Sequence, residues 1–66
     1  MGHPIVSLKE ARRLVKETGE HLIWIEEREA VRFCEPGWVE LLPHRDGGVL
    51  FINNERKSRA ERAAQR

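Results

Sequence analysis

The chain has 66 residues, 39% of them hydrophobic and 35% charged, with a formal net charge of +1. A chain this short forms one domain at most and buries only about 60% of the surface that its unfolded form exposes, so its core is thin. The single cysteine excludes an intrachain disulfide, and no apolar run approaches the roughly 18 residues that span a bilayer. We therefore expect an intracellular, cytoplasmic protein with no membrane segment and no signal peptide.

The first predicted element is a helix that begins at Leu8 and ends near Thr18. Ser7 followed three residues later by Glu10 is the pattern of a capping box. Gly19 is expected to end the helix in the left-handed conformation. The apolar residues that recur at helical spacing on one face are Leu8, Ala11, Leu14 and Val15.

Residues 21–53 have the pattern of a four-stranded antiparallel β-meander. The expected strands cover residues 21–27, 29–34, 38–42 and 49–53. The first is rich in β-branched and aromatic residues, and the second alternates apolar with polar residues. A tight hairpin turn is expected at residues 26–29, and residues 45–48 supply glycines for a second turn.

The chain is expected to end in a basic helix. Asn53 or Asn54 is suited to cap a helix that starts at about Glu55. Residues 55–66 hold four Arg and one Lys against two Glu, a net charge of +3, which leaves −2 on residues 1–54. The sequence thus predicts an α+β domain, residues 1–54, with an N-terminal helix packed on the meander, followed by a basic helical arm, residues 55–66.

Neighbouring apolar residues predict a sheet that is apolar on both faces. Residues 22–25 and 49–52 are all apolar, and adjacent side chains in a strand point to opposite faces. The N-terminal helix covers one face, whereas the C-terminal segment is too polar to cover the other. A homodimer or another protein partner is the preferred cover, and closure of the strands into a small barrel is the alternative.

The basic helices favour a small, non-enzymatic binding or regulatory protein that contacts the phosphates of nucleic acid, DNA or RNA. The predicted phosphate-binding residues are Lys9, Arg12, Arg13, Lys16, Arg56, Lys57, Arg59 and Arg62. The order helix, sheet, basic helix is similar to that of double-stranded-RNA-binding domains, in which the second helix meets backbone phosphates. That family has three strands, and Arg56, Lys57 and Arg59 stand where it has a lysine cluster.

The alternative function is a protein-interaction module, an adaptor or inhibitor, that acts through an exposed apolar sheet face. In this hypothesis Trp24 or Trp38 anchors the partner, and the basic arm confers solubility. No enzymatic activity, cofactor or metal is expected. The residues of metal-ligating type, His3, His21, Cys34 and His44, show no ligand spacing, and Cys34, His44 and Asp46 match no motif of a thiol enzyme.

Overall fold

The computed structural model describes residues 4–65, with the backbone alone described for residues 42–45. This part of the chain forms four strands and three helices. They are β1 (Ile5–Val6), α1 (Leu8–Glu17), β2 (Leu22–Glu26), α2 (Glu27–Ala30), β3 (Trp38–Arg45), β4 (Gly48–Asn53) and α3 (Asn54–Ala64). The predicted α+β class and the count of four strands are confirmed, but the strands are not the four that we expected.

The strands form one mixed sheet in the order β1-β2-β4-β3. β1 runs parallel to β2, whereas β4 is antiparallel to both β2 and β3. The prediction of an antiparallel meander was therefore wrong, because β4 lies between β2 and β3 and the leading strand β1 was missed. The leading strand and the mixed sheet also separate this fold from the element order of double-stranded-RNA-binding domains.

The strand predicted at residues 29–34 is instead a short helix followed by turns. α2 ends at Ala30, and the amide of Phe33 donates to the Ala30 carbonyl at 3.0 Å. Ala30 and Phe33 are buried three residues apart, while Val31 between them is 82% exposed. A spacing of three residues between buried side chains is typical of a helix. In so short a segment, however, the apolar residues alone do not distinguish a helix from a strand.

The predicted helix at the N-terminus is confirmed as α1. The Ser7 hydroxyl accepts a hydrogen bond from the amide of Glu10 at 3.2 Å, as expected of an N-cap. A second acceptor comes from outside the helix, since the Glu29 carboxylate accepts from the amide of Leu8 at 2.9 Å. The helix ends near Thr18, as predicted, but the left-handed stop expected at Gly19 was wrong. Thr18 caps α1 in an extended conformation, with its amide donating to the Leu14 carbonyl.

Both crossover connections lie on the same face of the sheet. One is α1, between β1 and β2, and the other is the segment 27–37, which carries the chain from β2 past β4 to β3. Leu8 and Ala11 of α1, and Ala30 and Phe33 of the second connection, join one hydrophobic core. The sheet residues of this core are Ile23, Ile25, Trp38, Val49 and Phe51, and we call their side of the sheet the covered face.

A two-residue turn, Asp46-Gly47, joins β3 to β4. Both residues have positive φ, 53° and 78°, which is the conformation of a type I′ hairpin turn and the reason that Asp-Gly is suited to it. Among the described residues β1 and β3 are the two edges of an open sheet, so the barrel alternative was wrong. None of the helices in the described part of the chain has the length and apolarity required to cross a bilayer.

Candidate functional site

The second face of the sheet is apolar and has no helix over it. Residues that pair directly across neighbouring strands point to the same side of a sheet. Trp24 pairs with Ile5 on one side and with Leu50 on the other, and Leu50 pairs in turn with Leu41. The same rule places Leu22, Val39 and Ile52 there. We call this surface the open face; its seven residues are Ile5, Leu22, Trp24, Val39, Leu41, Leu50 and Ile52.

Exposure decreases from the edges of the open face towards its centre. Val39 is 49% exposed, Leu41 39% and Ile5 38%, and these are the members of the open face that lie on the edge strands β1 and β3. Leu22, Trp24 and Leu50 are half-buried by their neighbours, and Ile52 is buried. The solvent-facing side of an antiparallel sheet ordinarily carries polar residues. Seven apolar side chains together on such a side are therefore unusual.

A glycine sits beside this surface where a side chain would interfere. A Cβ added to Gly48 would lie 2.9 Å from Cδ1 of Ile5 and 3.4 Å from Cε3 of Trp24. The absence of a side chain at position 48 therefore lets Ile5 and Trp24 pack over β4. This packing joins the edge strand β1 to the open face.

α3 leaves the open face uncovered. None of its residues 54–64 is buried, and it is fixed to the body of the protein at its first turn. Asn53 caps it, since the buried side-chain oxygen of Asn53 accepts from the amide of Arg56 at 3.0 Å. The predicted cap and helix are thus confirmed.

Arg56 fastens α3 to the end of α1. Its guanidinium donates to the carbonyls of Val15 at 2.8 Å, Thr18 at 3.1 Å and Glu20 at 3.2 Å. It also lies 5.5 Å from the centre of the Trp38 ring, within the range of a cation–π interaction. A cation at the C-terminal end of a helix is favoured by the helix dipole. These contacts give Arg56 a structural role on the covered side of the molecule.

The predicted basic residues of α1 differ in their surroundings. Arg13 donates to Glu10 at 2.9 Å and to Glu17 at 3.2 Å. The hydrogen bond from Arg13 lowers the pKa of the Glu10 carboxyl, and Glu10 in turn raises the pKa of Arg13. Lys9, Arg12 and Lys16 are exposed on the same helix.

The predicted basic residues of α3 other than Arg56 are exposed. Arg59 approaches Glu55 at 3.5 Å, one helical turn away, and both side chains are mostly in solvent. Lys57 and Arg62 are exposed as well. Because Arg56 bonds to Val15, Thr18 and Glu20, the first turn of α3 lies beside the last turn of α1.

The two tryptophans lie on opposite sides of the sheet. Trp38 is buried in the core, where its ring meets that of Phe33 edge-on with centroids 6.0 Å apart. Trp24 is half-buried on the open face. It also lines a groove of about 230 Å³ at the edge of β2, together with Pro4, Val6, Leu14, Glu20, Leu22 and Ile23. Of the two predicted anchors, Trp24 is the one that a partner can reach on the open face.

Residues of metal-ligating type are not clustered in the described part of the chain: no group of three or more His, Cys, Asp or Glu residues there could hold a metal ion. His3 and the side chain of His44 lie outside the described residues. Cys34 is an exposed free thiol.

The members of the open face could be found in part from the sequence. Paired apolar residues in β2 and β4 predicted it, but Ile5, Val39 and Leu41 were not assigned to it. The signal was present for Val39 and Leu41, which alternate with Trp38 and Glu40. No signal identified Ile5, because a two-residue strand is too short to show a period.

No protein-family model matches the chain, and neither the search of curated proteins nor that of solved structures found a significant match.

Proposed function

We propose that this chain is a protein-interaction module and that the open face is its binding surface. The observation that carries the proposal is the set of seven apolar residues on the side of the sheet that neither crossover nor α3 covers. In water such a surface is unfavourable by about 25 cal/mol for each Å² of apolar area, and a partner that covers it recovers this free energy.

The chemistry of the face determines the kind of partner. Its side chains lack hydrogen-bonding groups except for the indole N–H of Trp24, so recognition depends on shape and apolar contact. Val39 and Leu41 are exposed at one edge of the face, and the groove beside Trp24 offers a recess. A complementary apolar protein surface fits this arrangement, with Trp24 as the aromatic anchor.

Site-specific photo-cross-linking in cells that produce the chain tests this function. A photoreactive residue replaces Val39 on the open face or, as a matched control, Val31 on the helix-bearing side, which is 82% exposed. We expect a protein adduct from position 39 that is lost when Leu41→Lys is added, and no adduct from position 31. Absence of an adduct at position 39, or equal adducts at both positions, would contradict the proposal.

A second candidate function is contact with nucleic-acid phosphates through α1 and α3. It is favoured by the exposed cations on two helices whose ends adjoin at Arg56. Because Arg56 bonds to three carbonyls, and Arg13 to two carboxylates, the residues best placed for phosphate are Lys9, Arg12, Lys16, Lys57, Arg59 and Arg62. The assignment of residues 55–66 as a separate arm remains a prediction.

Titration of generic duplex DNA and duplex RNA at two salt concentrations tests the second candidate. Each phosphate contact adds about 0.9 to the slope of log affinity against log salt for duplex DNA. We expect Lys57→Ala with Arg62→Ala to reduce that slope by about 2 and to leave the fold intact, since neither side chain is buried. Absence of binding to either duplex at the lower salt concentration would eliminate this function.

A further inference from the structure

We infer that the partner on the open face is a second copy of this chain. The two copies pack face to face, and β4 of one copy runs in the opposite direction to β4 of the other. The inference rests on the proposed function and names its partner. Three observations support it: the area that the chain exposes, the charges at the two ends of the sheet, and the polarity around the face.

The chain exposes more surface than a compact monomer of its mass. The chain has an accessible surface of 5042 Å² and a mass of 7.7 kDa. A compact monomer of that mass exposes about 4,300 Å². The chain therefore exposes about 700 Å² more than a compact monomer of its mass, and Val39, Leu41 and Ile5 of the open face are among its exposed large apolar residues.

The ends of the sheet differ in charge. Where β2 finishes and β4 begins, residues 26–29 and 45–46 hold four carboxylates against Arg28 and Arg45, a net charge of −2. At the other end β4 leads into α3, whose residues 54–64 have a net charge of +2, and Lys16, Glu17, Glu20 and Glu35 at the same end add −2. The body and the last helix thus make a molecule with a charge gradient along its strands.

That gradient determines the orientation of the second copy. A two-fold axis in the plane of the interface and perpendicular to the strands exchanges the two ends. The acidic end of each copy, which includes Glu26 and Asp46, then lies beside the start of α3 in the other. An axis parallel to the strands would place like charges together, which is unfavourable. With either axis the open face of one copy contacts the open face of the other, as a two-fold interface requires.

The centre of the face has no charge that would select a different partner. Its seven residues are apolar, and the sheets of such a dimer would pack about 10 Å apart with interdigitated side chains. The charged groups stand at the ends of the strands, where they form a polar rim. Apolar contact at the centre contributes affinity, and the rim determines the orientation.

Sedimentation of the purified full chain over a range of concentrations tests the inference. We expect a species of twice the chain mass that dissociates on dilution. Val39→Glu should weaken association at least about 100-fold, because it buries a carboxylate without a partner. Leu41→Lys serves as a second variant, and Val31→Glu as a control that should leave the dimer unchanged. Circular dichroism at the lowest concentration checks that each variant folds.

Charge reversal tests the orientation. Asp46→Lys and Lys57→Glu should each weaken the dimer by up to about fivefold, and the two changes together should restore part of the loss. A dimer that survives both Val39→Glu and Leu41→Lys would use another surface and would overturn the inference. Dimer affinity unchanged by either reversal would overturn the antiparallel orientation.

The failures of the inference and of the proposed function are distinguishable. If the chain stays monomeric at about 500 µM while position 39 still cross-links to a different protein, the second copy is excluded and the interaction function stands. If the chain is monomeric and position 39 yields no adduct, both are wrong. An adduct of position 39 with another copy of the chain supports both.

Discussion

The contacts of Arg56 predict that this one side chain holds α3 to the body of the protein. In Arg56→Ala the part-buried bond to the Val15 carbonyl is lost, at about 1.5 kcal/mol for a charged donor. The two exposed hydrogen bonds to the carbonyls of Thr18 and Glu20 contribute about 0.5 kcal/mol each. The cation–π contact with Trp38 contributes about 0.5 kcal/mol as well. We expect a total loss of about 2 to 3 kcal/mol in the free energy of unfolding.

A loss of this size is large for a chain of 66 residues, whose total stability should be about 3 to 10 kcal/mol. Urea unfolding followed by tryptophan fluorescence measures it, at a concentration where sedimentation shows the monomer. With a slope of about 1 kcal/mol per molar urea, the midpoint should fall by about 2 to 3 M. Arg56→Lys should have an intermediate effect, because it keeps the charge and loses the forked geometry.

Two controls separate the role of Arg56 from that of the helix around it. Arg59→Ala loses an exposed contact of 3.5 Å and should cost less than about 0.5 kcal/mol. A chain ending at Asn54 should lose about as much stability as Arg56→Ala, and a chain ending at Arg59 much less, because no residue of α3 is buried. If Arg56→Ala were no more destabilising than Arg59→Ala, the reasoning about this contact would be wrong.

Three further predictions concern the covered side of the molecule. Asn53→Ala removes the cap on the amide of Arg56 and should destabilise the fold by about 1 kcal/mol in urea unfolding; no change would contradict the cap. Gly37→Ala should cost about 1 to 3 kcal/mol, because φ is +87° and the added Cβ would lie 3.0 Å from Nδ2 of Asn53, and an unchanged urea midpoint would refute this strain. The hydrogen bond from Arg13 lowers the pKa of Glu10 in the folded chain, so the stability that Glu10 contributes is present above its ordinary pKa and is lost as the pH falls through the folded pKa. Glu10→Gln should therefore make the free energy of unfolding less dependent on pH in this range. If the pH dependence of this variant equals that of the original chain, the bond to Arg13 contributes nothing to stability.

Elements with a local chemical signal were the ones that the sequence predicted well. The Ser7 cap of α1, the Asn53 cap of α3 and the Asp46-Gly47 turn each depend on a side chain or a backbone conformation within three residues. Such signals are present in the unfolded chain. They do not depend on which strands later become neighbours.

The sheet order required information that is not local. Placing β4 between β2 and β3 depends on the crossover through residues 27–37. A strand was predicted in this crossover because Val31 and Phe33 alternate with polar residues, but Phe33 is buried and Val31 is exposed. The open face was nevertheless predictable, because adjacent apolar residues in β2 and β4 must point to both sides of any sheet. Arg56 could not be assigned to α1 from sequence, since its three acceptors lie 36 to 41 residues away.

Solvent accessibility of individual methyl groups tests the central claim, that the open face is bare in the single chain and covered in the assembly. A soluble paramagnetic agent should broaden the NMR methyl signals of Val39 and Leu41 at low protein concentration and spare them at high concentration. Val31, exposed on the helix-bearing side, should be broadened at both. Protection of Val39 and Leu41 at the lowest concentration would show that the chain covers its own face, and equal broadening at all concentrations would show that a second copy does not.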